Sequence, residues 1–357
     1  MKKILLINPF GIGDVLFTTP IVRAIKESYP EIFLGYWCNE RVEPILKKNP
    51  FINKTFALSR GDLKKIFQRS KIEGINKALS LLLKVKKENF NIAIDFSLDH
   101  RYGLVCRMAG IRKRIGLNYK NRPRFLTDKI DIEGFENKHV IEYYLEVLKF
   151  LKIKAPQNIK LEIFLDRDSL NWADDFLKEY NLKGTKPLIG IAPYGGASWG
   201  KQAYLKYWPL ENYIELIRRL SDKFNTSPII FSDEEEKETA NVIEKEIGKR
   251  IINLAGKLSL MQYLSLLSKL DILITNDSGN VHMAVALGIK TVSIFGPVDE
   301  KVYGPYPLGQ NNIVIKKDFP CRPCYKKFRI LDCQDDLRCL KSINTEEVYL
   351  AVEKFLS

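Results

Sequence analysis

Apolar residues recur along this chain in two rhythms that alternate from end to end: short β-branched runs, and longer stretches with apolar positions at helical spacing. The best-defined example is LDILITNDSGNVHMAVALGIKTVSIFGP, residues 270–297. Residues 272–275 and 291–295 have the length and β-branched content of buried strands. Between them Asn276, Asp277 and Ser278 are N-cap types, Met283, Ala284, Ala286 and Leu287 give an apolar face, and Gly288 is placed to end the helix. Ligands of such strand–helix–strand units bind beyond the carboxyl ends of the strands, so Asp277, Ser278, Gly279 and His282 are expected to face a crevice.

The same alternation predicts a strand at 3–8, a loop PFGIGD at 9–14, and a helix that Thr19 and Pro20 start and that runs to Tyr29. Strands follow at 32–37, 54–58 and 91–96, with helical patterns at 42–48 and 62–89. The pattern weakens over 118–157, apart from a helix at 139–151, and the domain boundary falls within 155–186. A fresh series then opens: strand 187–192, helix 209–224, strand 227–232, helix 234–248, strand 250–254, helix 259–269 and the unit above. The fold class is therefore α/β, with two parallel sheets built in sequence. The expected domains are 1–165 and 166–344, with a C-terminal helix in 345–357 packing back across the first. No internal repeat or low-complexity segment stands out.

At 357 residues and 45% hydrophobic content, with no apolar run long enough to span a bilayer, the chain reads as soluble and cytoplasmic. The opening MKKILLINPF has too short an apolar run for a secretory signal and reads as a first strand. A net charge of +14 points to anionic partners: nucleotide phosphates, an acidic glycolipid, an anionic membrane surface or nucleic acid. Dispersed lysines and the absence of a recognition motif count against nucleic acid. Most of the basic groups suit solvated helix faces, and the run RKRIGLNYKNRPR at 112–124 is the first candidate for an anion surface.

Four stretches carry candidate chemistry. In the first loop Gly13 permits close approach of a ligand, and Asp14 either projects into the crevice or caps a helix; the loop lacks the G-x-G-x-x-G spacing of a dinucleotide site. In PYGGASWGKQAYLKYWP, residues 193–209, Gly196 lets backbone approach a diphosphate, and Lys201 or Lys206 would hold its charge unless both are solvated. In FSDEEEK, residues 231–237, the carboxylates suit a first helical turn, and one, Glu234, is a candidate for ribose hydroxyls. In the central unit Asp277 is assigned to the helix cap, the amides near Ser278 and Gly279 to a phosphate, and His282 to a phosphate or sugar hydroxyl or to the packed interior. Separately, Cys321, Cys324, Cys333 and Cys339 form a C-x2-C-x8-C-x5-C array that suits a structural zinc, reduced thiols or local disulfides.

Taken together, GDVLFTTP at 13–20, KYWP at 206–209 and DSGNVH at 277–282 through FGP at 295–297 resemble the lipopolysaccharide heptosyltransferase family, also called glycosyltransferase family 9. Phe17 stands where many members carry histidine. The resemblance implies a GT-B architecture, two Rossmann-like domains facing each other across a cleft, the first holding acceptor and the second nucleotide-sugar. It implies an inverting, metal-independent transfer with Asp14 as general base, Lys206 on the donor diphosphate, Lys201 as its rival, Glu234 on the ribose, and the Asp277–His282 loop on the nucleotide phosphates. The donor implied is ADP-heptose, and the acceptor a lipid-linked saccharide such as lipopolysaccharide core, reached peripherally at the inner membrane. A non-catalytic nucleotide-sugar-binding protein, or a member with another donor and acceptor, are the alternatives; an intact Asp14 speaks for catalysis, since a binding module needs no base.

Overall fold

In a computed structural model, which describes residues 2–58, 60–195, 197–309 and 311–356, the chain divides into two units, Met1–Phe164 and Leu165–Ser357. The first is built on β1 (Lys3–Ile7), β2 (Phe33–Cys38), β3 (Lys54–Ala57), β4 (Ile92–Asp95), β5 (Lys113–Tyr119) and β6 (Asp128–Ile132). These form one six-stranded parallel sheet in the order β3-β2-β1-β4-β5-β6. β1 is buried from Ile4 to Ile7 because helices cover both faces of the sheet, which is why it reads as an unbroken apolar run. Leu5 and Ile7 join Trp37, Phe56, Val85 and Phe90 in the core of this unit. Each such burial stabilises by roughly 1.5–3 kcal/mol.

The second unit repeats the plan. β7 (Ile189–Ala192), β8 (Ile229–Ile230), β9 (Ile252–Asn253), β10 (Ile272–Asn276), β11 (Lys290–Ile294) and β12 (Asn312–Ile315) form a second parallel sheet in the order β12-β11-β10-β7-β8-β9. In both sheets the strand order reverses beside the first strand, between β1 and β4 and between β7 and β10. Ligands of open α/β sheets bind at this switch point, beyond the carboxyl ends of the strands.

Several elements depart from expectation. The helical pattern at 62–89 is two helices, Arg60–Arg69 and Lys71–Lys87, because the Ser70 hydroxyl turns back to accept from the Glu73 N–H (3.3 Å) and starts a new helix. β6, β12 and the helix Arg167–Glu179 lie where no regular structure is expected. The C-terminal helix Thr345–Leu356 opens on a reciprocal cap, the Glu347 N–H donating to Asn344 Oδ1 and the Asn344 N–H to Glu347 Oε2. Expected to reach back over the first domain, it packs against the helix Leu210–Phe224, β11 and β12, and buries Val348, Ala351 and Val352 in the second unit's core.

Candidate functional site

At the switch point of the second sheet, the loops leaving β7 and β10 are stitched to each other. Asn276, the last residue of β10, is fully buried; its Nδ2 donates to the Pro193 carbonyl and its Oδ1 accepts from Tyr213 Oη at 3.0 Å. The Asp277 N–H still donates to Ile294 in the neighbouring strand (2.9 Å), so Asp277 continues the sheet rather than starting the helix. The cap is Ser278, whose hydroxyl accepts from the Asn280 N–H at 3.3 Å and which opens the helix Gly279–Ala286. This corrects the assignment of Asp277 to the cap. The helix ends as expected, with Gly288 in the left-handed region at φ 75°.

The carboxylate freed from capping has another partner. Lys206 Nζ lies 2.8 Å from Asp277 Oδ2, outside hydrogen-bond geometry, with only 9% and 5% of the two side chains exposed. The ammonium also sits 4.2 Å from the centre of the Trp199 ring. A carboxylate beside a helix N-terminus that is expected to meet a phosphate is thus explained: it neutralises a buried lysine. Lys201 is exposed. Its segment, Ala197–Lys206, is a 3-10 stretch kinked at Gly200 (φ 53°), which leaves Lys206 inside and Lys201 outside.

Gly195 is where a side chain is excluded. Its φ is +139°, and a Cβ there would lie 2.6 Å from Ser278 Cβ. Gly196, expected beside it as a donor ligand, lies outside the described residues. The Gly195 N–H donates to Glu236 Oε1 (3.1 Å), which also accepts from Tyr207 Oη (2.8 Å), while Ser232 Oγ lies 3.4 Å from Oε2. Burial pushes the Glu236 carboxyl above its ordinary range, and the Tyr207 hydrogen bond opposes the shift. Of the three adjacent glutamates it is therefore Glu236 that braces the β7 loop. Glu234 is exposed, paired with Lys237 at 3.1 Å. Only a distance in space separates the two roles, so nothing in the run of three singles out Glu236.

Gly279 is half-buried at the start of the helix, and His282 is buried within it at 6% exposure. Asn280 Oδ1 accepts from Tyr263 Oη (3.0 Å), which fixes this helix against its neighbour. The loop after β11 is held by a pair that the sequence does not announce: Arg322 donates to the Gly296 and Val298 carbonyls and to Glu300 Oε2 at 2.8 Å. Burial alone would raise the Glu300 carboxyl, but the Arg322 guanidinium, a backbone hydrogen bond and Lys316 together more than offset it and hold the group below its usual range.

In the first unit, the loop after β1 runs directly into a one-turn helix, Ile12–Leu16. Gly13 and Asp14 are in its first turn, both half-buried. The N-cap is Gly11 at φ −71°, which has no side chain to cap with, and Asp14 is the acidic residue of the first turn, its carboxylate beside Gly11. The loop is held from below by Asn8, fully buried, whose Nδ2 donates to the Asp14 carbonyl (2.9 Å) and whose Oδ1 accepts from the Phe10 N–H (3.2 Å). Phe17 is buried edge-on against His139, ring centroids 5.1 Å apart.

The four C-terminal cysteines are free thiols. Cys339 is turned into the core of the second unit, whereas Cys321 and Cys333 are exposed. Burial first, and then the neighbouring thiols of Cys321, Cys339 and Cys333, push Cys324 up to about 11. Among the described residues no three His, Cys, Asp or Glu side chains are arranged to hold an ion.

Comparison with known proteins agrees with this layout. The lipopolysaccharide heptosyltransferase 2 of Escherichia coli K12 is 25% identical over 305 residues, covering 83% of each chain. A lipooligosaccharide heptosyltransferase 2 of Campylobacter jejuni is 27% identical over 358 residues, covering 99% of this chain and 98% of its own. The solved structure of the E. coli ADP-heptose lipopolysaccharide heptosyltransferase II superposes with a TM-score of 0.76 at 22% identity, over 100% of this chain and 98% of that one. The model of glycosyltransferase family 9 (heptosyltransferase) matches residues 78–334, well over half of the chain. With the family's span containing the Lys206–Asp277 pair and the capped helix that follows it, the chain belongs to glycosyltransferase family 9, the heptosyltransferases.

Proposed function

We propose that this protein transfers a heptose from ADP-heptose to a lipid-linked saccharide such as lipopolysaccharide core, inverting the anomeric centre and using no metal. Family membership sets the reaction class; the observation that carries the residue roles is the buried Lys206–Asp277 pair at the carboxyl edge of the second sheet. An ammonium has three N–H donors, so Lys206 can keep its contact with Asp277 and still donate to a diphosphate oxygen. The first amides of the Gly279–Ala286 helix supply further donors for the phosphates, with Ser278 and His282 on the same end. Glu234, exposed and paired with Lys237, is the carboxylate available to ribose hydroxyls, while Glu236 braces the loop. Lys201 approaches the donor only from solvent.

In this reading the acceptor hydroxyl attacks the anomeric carbon on the face opposite the diphosphate. The carbon–oxygen bond to ADP breaks and its electron pair leaves with ADP. The hydroxyl proton passes to the Asp14 carboxylate. Negative charge grows on the leaving diphosphate as that bond breaks, so Lys206 and the helix amides stabilise the transition state more than the ground state. Membership of a family whose relatives are named for lipopolysaccharide and lipooligosaccharide transfer supports an acceptor presented at the cytoplasmic face of the inner membrane.

The test is transfer from a panel of nucleotide-sugars to a glycolipid extract, with and without a chelator, and the product's anomeric configuration read by NMR. Turnover of ADP-heptose alone, unchanged by chelator and with inverted configuration, is expected. Retention of configuration, loss of turnover with chelator, or preference for another nucleotide-sugar would overturn the corresponding part.

A further inference from the structure

The helix Lys71–Lys87 has two apolar faces. One carries Leu81 and Val85, which enter the core of the first unit. The other carries Ile72, Ile75, Leu79 and Leu83, exposed by 75%, 51%, 49% and 64%. At about 100° per residue these four fall within an arc of about 80°, on the side of the helix turned away from Leu81 and Val85. Surface helices of soluble domains carry one apolar stripe, facing the core. Single exposed aliphatic residues are ordinary, but four in a row on one face form a contiguous apolar surface.

The ridge is bordered by positive charge. Lys71 stands at one end and Lys84, Lys86 and Lys87 at the other, all exposed, and Arg69 of the preceding helix is exposed beside the hairpin turn. Of the nearby carboxylates, Glu88 is already engaged by Lys3 and Lys54. Among the described residues no helix is long and apolar enough to cross a membrane, so a ridge of this kind can lie on a bilayer but not span it.

We propose that this face docks on an anionic lipid bilayer, the four aliphatic side chains entering the headgroup boundary while the lysines reach lipid phosphates. The proposal rests on the reading that the acceptor is lipid-linked. An amphipathic helix with large aliphatics on one side and lysines at the flanks has the chemistry for in-plane binding, where apolar burial and attraction to anionic headgroups add. The lysine stems are long enough to lie along the ridge with their charges in the headgroup layer. A second copy of the chain would satisfy the apolar face but bring the flanking lysines of two positively charged molecules together; an anionic leaflet satisfies both features.

The test uses the full chain and vesicles of phosphatidylglycerol and phosphatidylcholine, against vesicles of phosphatidylcholine alone, by co-sedimentation. Two variants are compared with wild type: Ile72→Ser/Ile75→Ser/Leu79→Ser/Leu83→Ser, and Lys84→Glu/Lys86→Glu/Lys87→Glu. Wild type is expected to bind the anionic vesicles at least about tenfold more tightly than neutral ones, and both variants to lose at least about tenfold on anionic vesicles. Thermal unfolding and ADP binding should be unchanged, because all seven positions are at the surface. Equal vesicle binding by the four-serine variant would overturn the proposal. So would a wild-type dimer that dissociates in that variant with no vesicle binding at all, since the occupant would then be a second copy. Vesicle binding is scored without turnover, so vesicle-bound protein that transfers no sugar would remove the enzymatic reading and leave the docking surface standing.

Discussion

Asp277 holds the charge of Lys206 in a place that water hardly reaches, and removing it strands an ammonium. Breaking a buried pair by removing one partner costs about 3–5 kcal/mol, so Asp277→Asn should lower the unfolding free energy by about that amount. Lys201→Ala, at an exposed position, should change it by no more than about 0.5 kcal/mol. Equilibrium denaturation of both variants checks the contrast, and equal, small losses would show that the pair contributes little. Asp95 offers a second measurement. It ends β4 at the first sheet's switch point, 3% exposed, with Oδ1 taking the Ser97 N–H at 2.8 Å and Oδ2 without a hydrogen-bond partner among the described residues. Burial pushes its carboxyl up to about 6. The folded protein therefore holds this proton more tightly than the unfolded chain, and the stability it contributes is present below about 3.8 and lost as pH rises through about 6. At neutral pH the charged form costs about 3 kcal/mol, so Asp95→Asn should be the more stable protein at pH 7, with the gap closing toward pH 4. A gap that does not vary with pH would place the effect elsewhere. That Lys206 and Asp277 belong to one region is legible in the sequence. That they pair is not, because residue types that suit a cap also suit an ion pair, and only distance in space decides.

The elements that bring these residues together are mostly written in the hydrophobic rhythm. β10, the capped helix and β11 stand within a residue or two of their expected limits, because a strand buried on both faces leaves an unbroken apolar run and a glycine at φ 75° stops the helix. The rhythm fails at the edges. β6 has the sequence DKIDI with only its last residue buried, and β12 is half-buried throughout, so each resembles a loop. The contact between the β7 loop and the helix start is likewise invisible in sequence, since a glycine-rich stretch does not say which glycine a neighbour needs. The structure singles out Gly195. Gly195→Ala would strain a backbone at φ +139° and press a methyl against Ser278, so it should weaken ADP binding at least about tenfold, by displacing the loop from the helix that carries Ser278. Calorimetric titration with ADP measures this, and unchanged affinity would show that the loop's position is not needed for the nucleotide.

At the level of the whole molecule, one plan appears twice: each unit starts a sheet, adds two strands on one side, then returns to add three on the other. No repeat is visible in the residues because the plan is carried by where apolar runs fall, and many sequences satisfy the same burial. The terminal helix shows the limit of such reading. Its apolar face at Val348, Ala351 and Val352 announces burial but not the surface that receives it, which is the second unit's own core. The division of labour proposed between the units rests on Asp14, carried by the loop after the first strand and supported from below by Asn8. The most direct measurement is therefore the rate of ADP-heptose-dependent transfer to the glycolipid acceptor by wild type and by Asp14→Asn, with ADP affinity measured alongside. Loss of a base worth about 10²–10⁴ in rate, with ADP affinity unchanged, is the predicted result. Transfer by Asp14→Asn at the wild-type rate would contradict it.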